Sequence, residues 1–220
     1  MELWLDTTNI RTIQTAVKLG LLSGVTTNPT LIARSGRDFD SLLEDLLHYQ
    51  EGPVAAQVVT DDAGEMVQQG QSLYSISNRI IIKVPLTKNG LEAIHLLSRQ
   101  GIPTMATAIF HPSQALLAAL TGADYVAPYL ASIEKNGGNP WSVLKSITNI
   151  FQAYRMKTKI LGASILNIDY FTHCAEAAIF GATLRDEVFE KLISTHPMTQ
   201  EKVNLFAEDW ANVDAPLLTP

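Results

Sequence analysis

The sequence predicts a single (β/α)₈ TIM barrel with an extra C-terminal helix, on three observations. Short apolar runs alternate with longer segments of helical period, joined by short Gly, Pro and Asn junctions. That alternation calls for a parallel sheet with right-handed crossovers. About eight such units fit into a chain of 220 residues, which is the arithmetic of an eight-stranded barrel. The run Ile80-Ile81-Ile82-Lys83-Val84-Pro85 is apolar except for one lysine. Its stiff β-branched side chains favour a strand, and the absence of alternation favours one covered on both faces. A doubly wound open sheet is the competing arrangement. It would carry a Gly-rich dinucleotide turn after the first strand, where this chain has Asp6-Thr7-Thr8-Asn9.

Taken in order, strands are expected at 3–6, 24–28, 54–59, 80–85, 104–109, 125–130, 159–164 and 181–184. Helices are expected at 10–19, 39–49, 63–75, 90–100, 112–121, 141–155 and 168–178. The first strand is Leu-Trp-Leu closed by Asp6, and the second ends in Thr26, Thr27 and Asn28 before Pro29. Gln57 lies near the end of the third strand, Lys83 in the fourth and Thr107 in the fifth. Tyr129 belongs to the sixth, Ser164 to the seventh, and Arg185 directly follows the eighth. No linker, low-complexity tract or charge block divides the chain, so residues 1–220 read as one barrel domain, with 198–220 a terminal helix and tail. Val203, Phe206, Ala207 and Trp210 share one face of that helix, and Ala215-Pro216 is expected to end it. A closed barrel has no obvious place for this stripe, so it is expected to pack on a neighbouring subunit.

Composition bounds the function. Charged residues are 17% and apolar residues 46%, against roughly 25% charged in an average protein, which fits a large core and a subunit contact. A net charge of −6 offers no basic face to release counterions from a phosphate backbone, which argues against nucleic acid as a partner. The single cysteine, Cys174, cannot form an internal disulfide, so a reducing cytoplasm is expected, with Cys174 as inert packing. The N-terminal stretch has neither a basic region nor a long apolar one, and no run approaches the roughly 20 residues of a membrane span.

Lys83 is the residue around which the chemistry turns. Desolvating an ammonium is costly, and the general escape of a buried amine is to release its proton and become a nucleophile. The plain alternative is a lysine at a strand end reaching to solvent. Barrel enzymes place their chemistry at C-terminal strand ends, where Asp6, Thr26, Asn28, Gln57, Thr107, Tyr129 and Ser164 surround it. Each has a structural reading: Asp6 and Asn28 suit helix N-caps, and Thr, Tyr and Ser often find backbone partners. Their joint placement around one lysine points instead to Schiff-base aldol chemistry. The amine adds to a ketone and loses water, leaving a protonated imine as an electron sink. Asp6, the only acid in the set, can take the proton of a β-hydroxyl as the carbon–carbon bond breaks. Tyr129, Gln57 and Thr107 have the donors and acceptors to hold the water that forms and hydrolyses the imine. No cofactor and no metal are expected, since His48, His95, His111, His173 and His196 show no ligand spacing near a strand-end acid. His111, just after the fifth strand, reads as a surface residue at a helix start.

Leu-Asp-Thr at 5–7, Gly-Val-Thr-Thr-Asn-Pro-Thr at 24–30, Ala-Gln at 56–57 and Ile-Lys-Val-Pro at 82–85 resemble the transaldolase family. So do Gly-Ile-Pro-Thr at 101–104, Tyr-Val-Ala-Pro-Tyr at 125–129 and Gly-Ala-Ser at 162–164. The likeness is greatest to its small branch, the fructose-6-phosphate aldolases and short transaldolases, and runs in order over nearly the whole chain. The resemblance implies the Schiff base at Lys83, acid/base work at Asp6, and donor hydroxyls held by Thr26 and Asn28, with Ala127 and Ser164 also against the substrate. Gln57 and Tyr129 are aldolase-like, because transferase-type members tend to carry Glu and Phe there. Sugar or sugar-phosphate substrates and a homo-oligomer, pentamer or decamer, are implied as well. Two cations that bind acceptor phosphate in the family are replaced by Ser132 and Leu166, leaving Arg185 as a substitute or as the partner of a nearby acid. The expected activity is a class I aldolase cleaving or forming a ketose carbon–carbon bond. The alternatives are a transaldolase passing a dihydroxyacetone unit between sugars, and a sugar-binding relative without turnover.

Overall fold

Eight strands rich in β-branched and small residues pair in parallel, each with its neighbour in sequence, and β8 closes on β1. The structure is a computed structural model that describes residues 1–213. The strands are β1 (Glu2–Asp6), β2 (Leu22–Thr26), β3 (Val54–Gln57), β4 (Ile80–Pro85), β5 (Thr104–Ile109), β6 (Tyr125–Pro128), β7 (Lys159–Gly162) and β8 (Gly181–Leu184). Around them run α1 (Ile10–Lys18), α2 (Pro29–Ser35), α3 (Phe39–His48), α4 (Ala63–Ile76), α5 (Lys88–Arg99) and α6 (Pro112–Leu120). The second half adds α7 (Leu130–Lys135), α8 (Pro140–Ala153), α9 (Ile168–Glu176), α10 (Asp186–Ile193) and α11 (Pro197–Ala211). The expected closed barrel with a terminal helix is the fold observed.

Period-two alternation divides the core in two. Leu3, Leu5, Val25, Val54, Ile80, Ile82 and Val84 face the helices. Trp4, Ala55, Ile81, Met105, Ala127, Leu161 and Ala163 fill the barrel. This explains β4, whose apolar residues serve both faces while Lys83 keeps the inward phase of Ile81. Trp4 is fully buried, and a Cβ on Gly24 would lie 2.8 Å from its ring. Glycine in β2 thus makes room for the indole that closes the N-terminal end, where Trp4 packs against Tyr125 and donates to Glu2 at 2.8 Å. Because inward residues are two apart, the layer above this floor holds Asp6, Thr26, Gln57, Lys83, Thr107 and Tyr129.

Several expected boundaries shift. Asn28 is not in a strand: β2 stops at Thr26, and the Asn28 side chain caps α2 by accepting from Leu31 N at 3.0 Å. Tyr129 and Leu130 also leave the strand, as the N-cap and first residue of α7, and Ser164 lies past the end of β7. β3 likewise stops at Gln57, short of the expected 59. The helices α2, α7 and α10 were not among those expected. Each is short, 7, 6 and 8 residues respectively. Leu130 continues the buried run of β6 into α7 with no mark of the change, and α2 and α10 are too short to show a helical period. Ser164 and Ala108 adopt left-handed backbone, φ 58° and 57°, and the β5–β6 register shifts between Ala106 and Ile109. These kinks turn the chain at the C-terminal rim, where strained backbone recurs at functional sites.

α11 differs from the other helices in that no residue along it is buried or half-buried. Its C-cap is Asn212. Ala215-Pro216, expected to end it, lie outside the described residues.

Candidate active site

Lys83 is 3% exposed, and its Nζ donates to the Thr27 carbonyl at 3.0 Å. That carbonyl is held in place because the backbone N–H and hydroxyl of Thr27 both donate to the Ala55 carbonyl, at 2.9 and 3.0 Å. An ammonium has three donors, and this is the single hydrogen bond Nζ makes among the described residues. The rest of the amine faces a cavity of about 130 Å³ lined by Asp6, Thr26, Asn28, Tyr129 and Ser164, with Met105, Ala127 and Leu161 as its apolar part. Such a volume lies well below the roughly 300–1,000 Å³ of a drug-sized pocket, so it admits only a small fragment.

Asp6 enters this cavity from the end of β1, opposite Thr26 in the ladder. The Thr26 hydroxyl donates to its carboxylate at 2.8 Å and lies 2.9 Å from the Thr183 hydroxyl. Having spent its one proton on Asp6, Thr26 must accept from Thr183. The relay fixes one carboxylate oxygen of Asp6 and leaves the other to the cavity.

Tyr129 is placed by the turn into α7, where its N–H donates to the Ile109 carbonyl. The Thr107 hydroxyl donates to its phenolic oxygen at 3.1 Å, so the Tyr129 proton can point at a ligand or water. Phe110 packs edge-on to the Tyr129 ring, centroids 5.9 Å apart.

Of the ten residues expected at the site, eight line this inner cavity: Lys83, Asp6, Thr26, Asn28, Ala127, Tyr129, Ser164 and Arg185. Thr107, 1% exposed, stands behind and acts through Tyr129. Gln57 does not join them. It pairs with Lys83 in the ladder but lines a wider outer cavity of about 530 Å³, which shares Asp6, Asn28, Tyr129 and Arg185 with the inner one. In that outer cavity it stands with Pro29, Thr30, Leu31 and Arg34 of α2.

Three participants escaped sequence reasoning. The Thr27 carbonyl acts through the backbone and leaves no side-chain signal. Thr183 was detectable, since it has the inward phase of β8 two residues before Arg185. Arg34 lies on α2, a helix too short to read from periodicity, and lines the outer cavity. His111 caps α6 in a reciprocal capping box with Gln114, the structural role expected of it. Cys174 is fully buried, and burial pushes its thiol up to about 12, as inert packing requires.

A family model described as Transaldolase/Fructose-6-phosphate aldolase matches residues 3–217. Among curated relatives, a probable transaldolase of Coprothermobacter proteolyticus is 41% identical over 97% of this chain and 98% of its own length. A probable transaldolase of Lactiplantibacillus plantarum is 40% identical over 96% of both chains. Probable transaldolase 1 of Listeria monocytogenes is 36% identical over 96% of this chain and 98% of its own.

Proposed function

Because this chain belongs to the transaldolase/fructose-6-phosphate aldolase family and is an enzyme of aldolase or transaldolase type, we propose that it is a class I aldolase working through a Schiff base on Lys83. The observation that carries this reading is the burial of Lys83 with its amine in a small polar cavity beside Asp6. The Lys83 amine adds to the ketose carbonyl carbon, and the carbinolamine loses its hydroxyl as water to leave a protonated imine. Asp6 takes the proton of the β-hydroxyl, the adjacent carbon–carbon bond breaks, and its electron pair moves onto the imine as an enamine while an aldehyde leaves. Protonation of the enamine carbon and addition of water then free the donor ketone and regenerate the amine. Tyr129, with Thr107 behind it, is suited to hold that water, and Asn28 and Thr26 to hold donor hydroxyls. The amide nitrogen of Asn28 has no partner among the described residues while its oxygen caps α2, which leaves a donor for this purpose.

A second reading, transfer of the donor unit to an acceptor aldehyde before water arrives, is favoured by the names of the relatives. The two differ in whether a proton, followed by water at the resulting imine, or an acceptor aldehyde reaches the enamine carbon first. We expect ketose cleavage to release free donor ketone without an added acceptor aldehyde, with the acceptor diverting only part of the flux. Product formation strictly dependent on the acceptor would make the protein a transaldolase. No turnover under either condition would leave a sugar-binding relative.

The same reading includes assembly. A fully exposed helix bearing Val203, Phe206 and Trp210, at 52%, 62% and 48% exposure, is an association liability in a monomer and a contact in an oligomer. A homo-oligomer, pentamer or decamer, follows from the resemblance. Truncation before Glu201 is expected to lower the mass seen by light scattering, and an unchanged mass would count against a role for α11. The single buried cysteine agrees with a reducing, cytoplasmic setting.

A further inference from the structure

α7 is too short to hold itself. It has 6 residues, far fewer than the roughly 12–15 at which an isolated helix becomes marginal in water. Its N-cap is Tyr129, whose side chain makes no capping hydrogen bond and lines the inner cavity instead. The place of that phenol therefore depends on what anchors α7 to the barrel.

Two anchors are backbone. The N–H groups of Leu130 and Ala131 donate to the carbonyls of Ala163 and Ser164, at 2.9 and 3.1 Å. They tie the turn after β6 to the turn after β7, where Ser164 holds its left-handed backbone. The third anchor is a side chain further along the helix. The hydroxyl of Tyr170, on α9, donates to Oε2 of Glu134. Among the described residues this is the one hydrogen bond that an α7 side chain makes to another element.

Tyr170 is itself held firmly. It is 6% exposed, its N–H donates to the Asn167 side chain at 3.0 Å, and Trp141 of α8 packs edge-on against its ring, centroids 4.8 Å apart. Three helices thus meet at one phenol. Burial, with Glu134 beside it, pushes that phenol up to about 12, so it remains a proton donor at neutral pH. Tyr170 lines neither the inner nor the outer cavity, so the chemistry on Lys83 makes no direct use of it.

We propose that Tyr170 is a positioning residue: by holding Glu134 it fixes α7 against α9 and so sets where the Tyr129 hydroxyl stands in the inner cavity. The proposal rests on the reading of Tyr129 as the holder of the water at the imine. Glu134 lies five residues beyond Tyr129, about 7.5 Å along a helix that rises 1.5 Å per residue. Over so short a lever, a small rotation of α7 carries the phenol with it. A displacement of about 1 Å is enough to take much of the effect from a group that must meet a reacting centre.

Tyr170→Phe removes the one donor and keeps the packed ring. It is expected to lower kcat for ketose cleavage about three- to tenfold, as the loss of one hydrogen bond would, with KM little changed. Glu134→Ala, a change at the surface, should reproduce the loss, and Glu134→Gln, which keeps an acceptor, should recover most of it. The decisive comparison is made in a Tyr129→Phe background. There Tyr170→Phe should slow the enzyme no further, because the hydroxyl it positions is gone. A tyrosine that only stabilised the fold would lower Tm and slow both backgrounds by the same factor, which overturns the proposal. Parent kcat in both Tyr170→Phe and Glu134→Ala, with Tyr129→Phe impaired, overturns the positioning alone. Parent kcat in Tyr129→Phe itself defeats the water-holding reading and the positioning with it.

Discussion

Replacing Lys83 with methionine is expected to abolish both turnover and the covalent adduct that borohydride traps with a ketose. The loss in kcat should be on the order of 10⁴-fold or more, as for other single nucleophiles. The fold should survive. Methionine is close in length to the lysine stem, and the site is flanked by Ile81 and Met105, so the apolar packing is kept. The variant leaves the Thr27 carbonyl without the donor it now has at 3.0 Å, a cost of about 1–3 kcal/mol. Against this it removes an amine whose burial is itself unfavourable. The two partly cancel, and Tm should move by only a few degrees. Peptide mapping of the trapped parent enzyme should place the label on Lys83. Label on any other lysine would sink the mechanism.

The second large effect concerns Asp6. Asp6→Asn keeps an oxygen for the Thr26 hydroxyl now donating at 2.8 Å, so the relay from Thr183 persists and the fold is unchanged. What is lost is the base. General base catalysis is worth about 10²–10⁴-fold, and cleavage should slow by that factor. Imine formation does not pass through this proton, so borohydride should still trap donor on Lys83 in the variant. That split distinguishes a base at the breaking bond from a residue that only shapes the cavity, whose loss would impair trapping and cleavage together. Wild-type kcat in the variant would remove Asp6 from the mechanism.

Legibility in the sequence followed the range of the physics. The strand β4 could be read because β-branched side chains impose their preference locally, and Lys83 could be singled out because a charge in an apolar run is costly wherever the run is placed. Asp6, Thr26 and Tyr129 could be grouped because a parallel barrel gathers the C-terminal ends of its strands. Thr107 was named as a water-holding residue, and the structure gives it an indirect part, its hydroxyl donating to Tyr129 at 3.1 Å. The same strand-end rule groups Gln57 with them, but Gln57 lines the outer cavity and not the inner one. Strand ends were the weakest boundaries, since α2, α7 and α10 have only 7, 6 and 8 residues, too few to show a helical period.

By itself, then, the sequence determined the eight-unit alternation and marked a lysine in an apolar run and an acid at a strand end. Each is a property of residue type and spacing within its own short segment of the chain. Only the tertiary structure decided which carbonyl holds the amine, that Thr183 orients Asp6 through Thr26, and that Arg34 and Arg185 meet at one cavity unpaired. Arg34 and Arg185 are 151 positions apart in the chain. Their approach depends on β8 closing against β1 beside β2, a contact made by hydrogen bonds between distant strands that no local preference encodes.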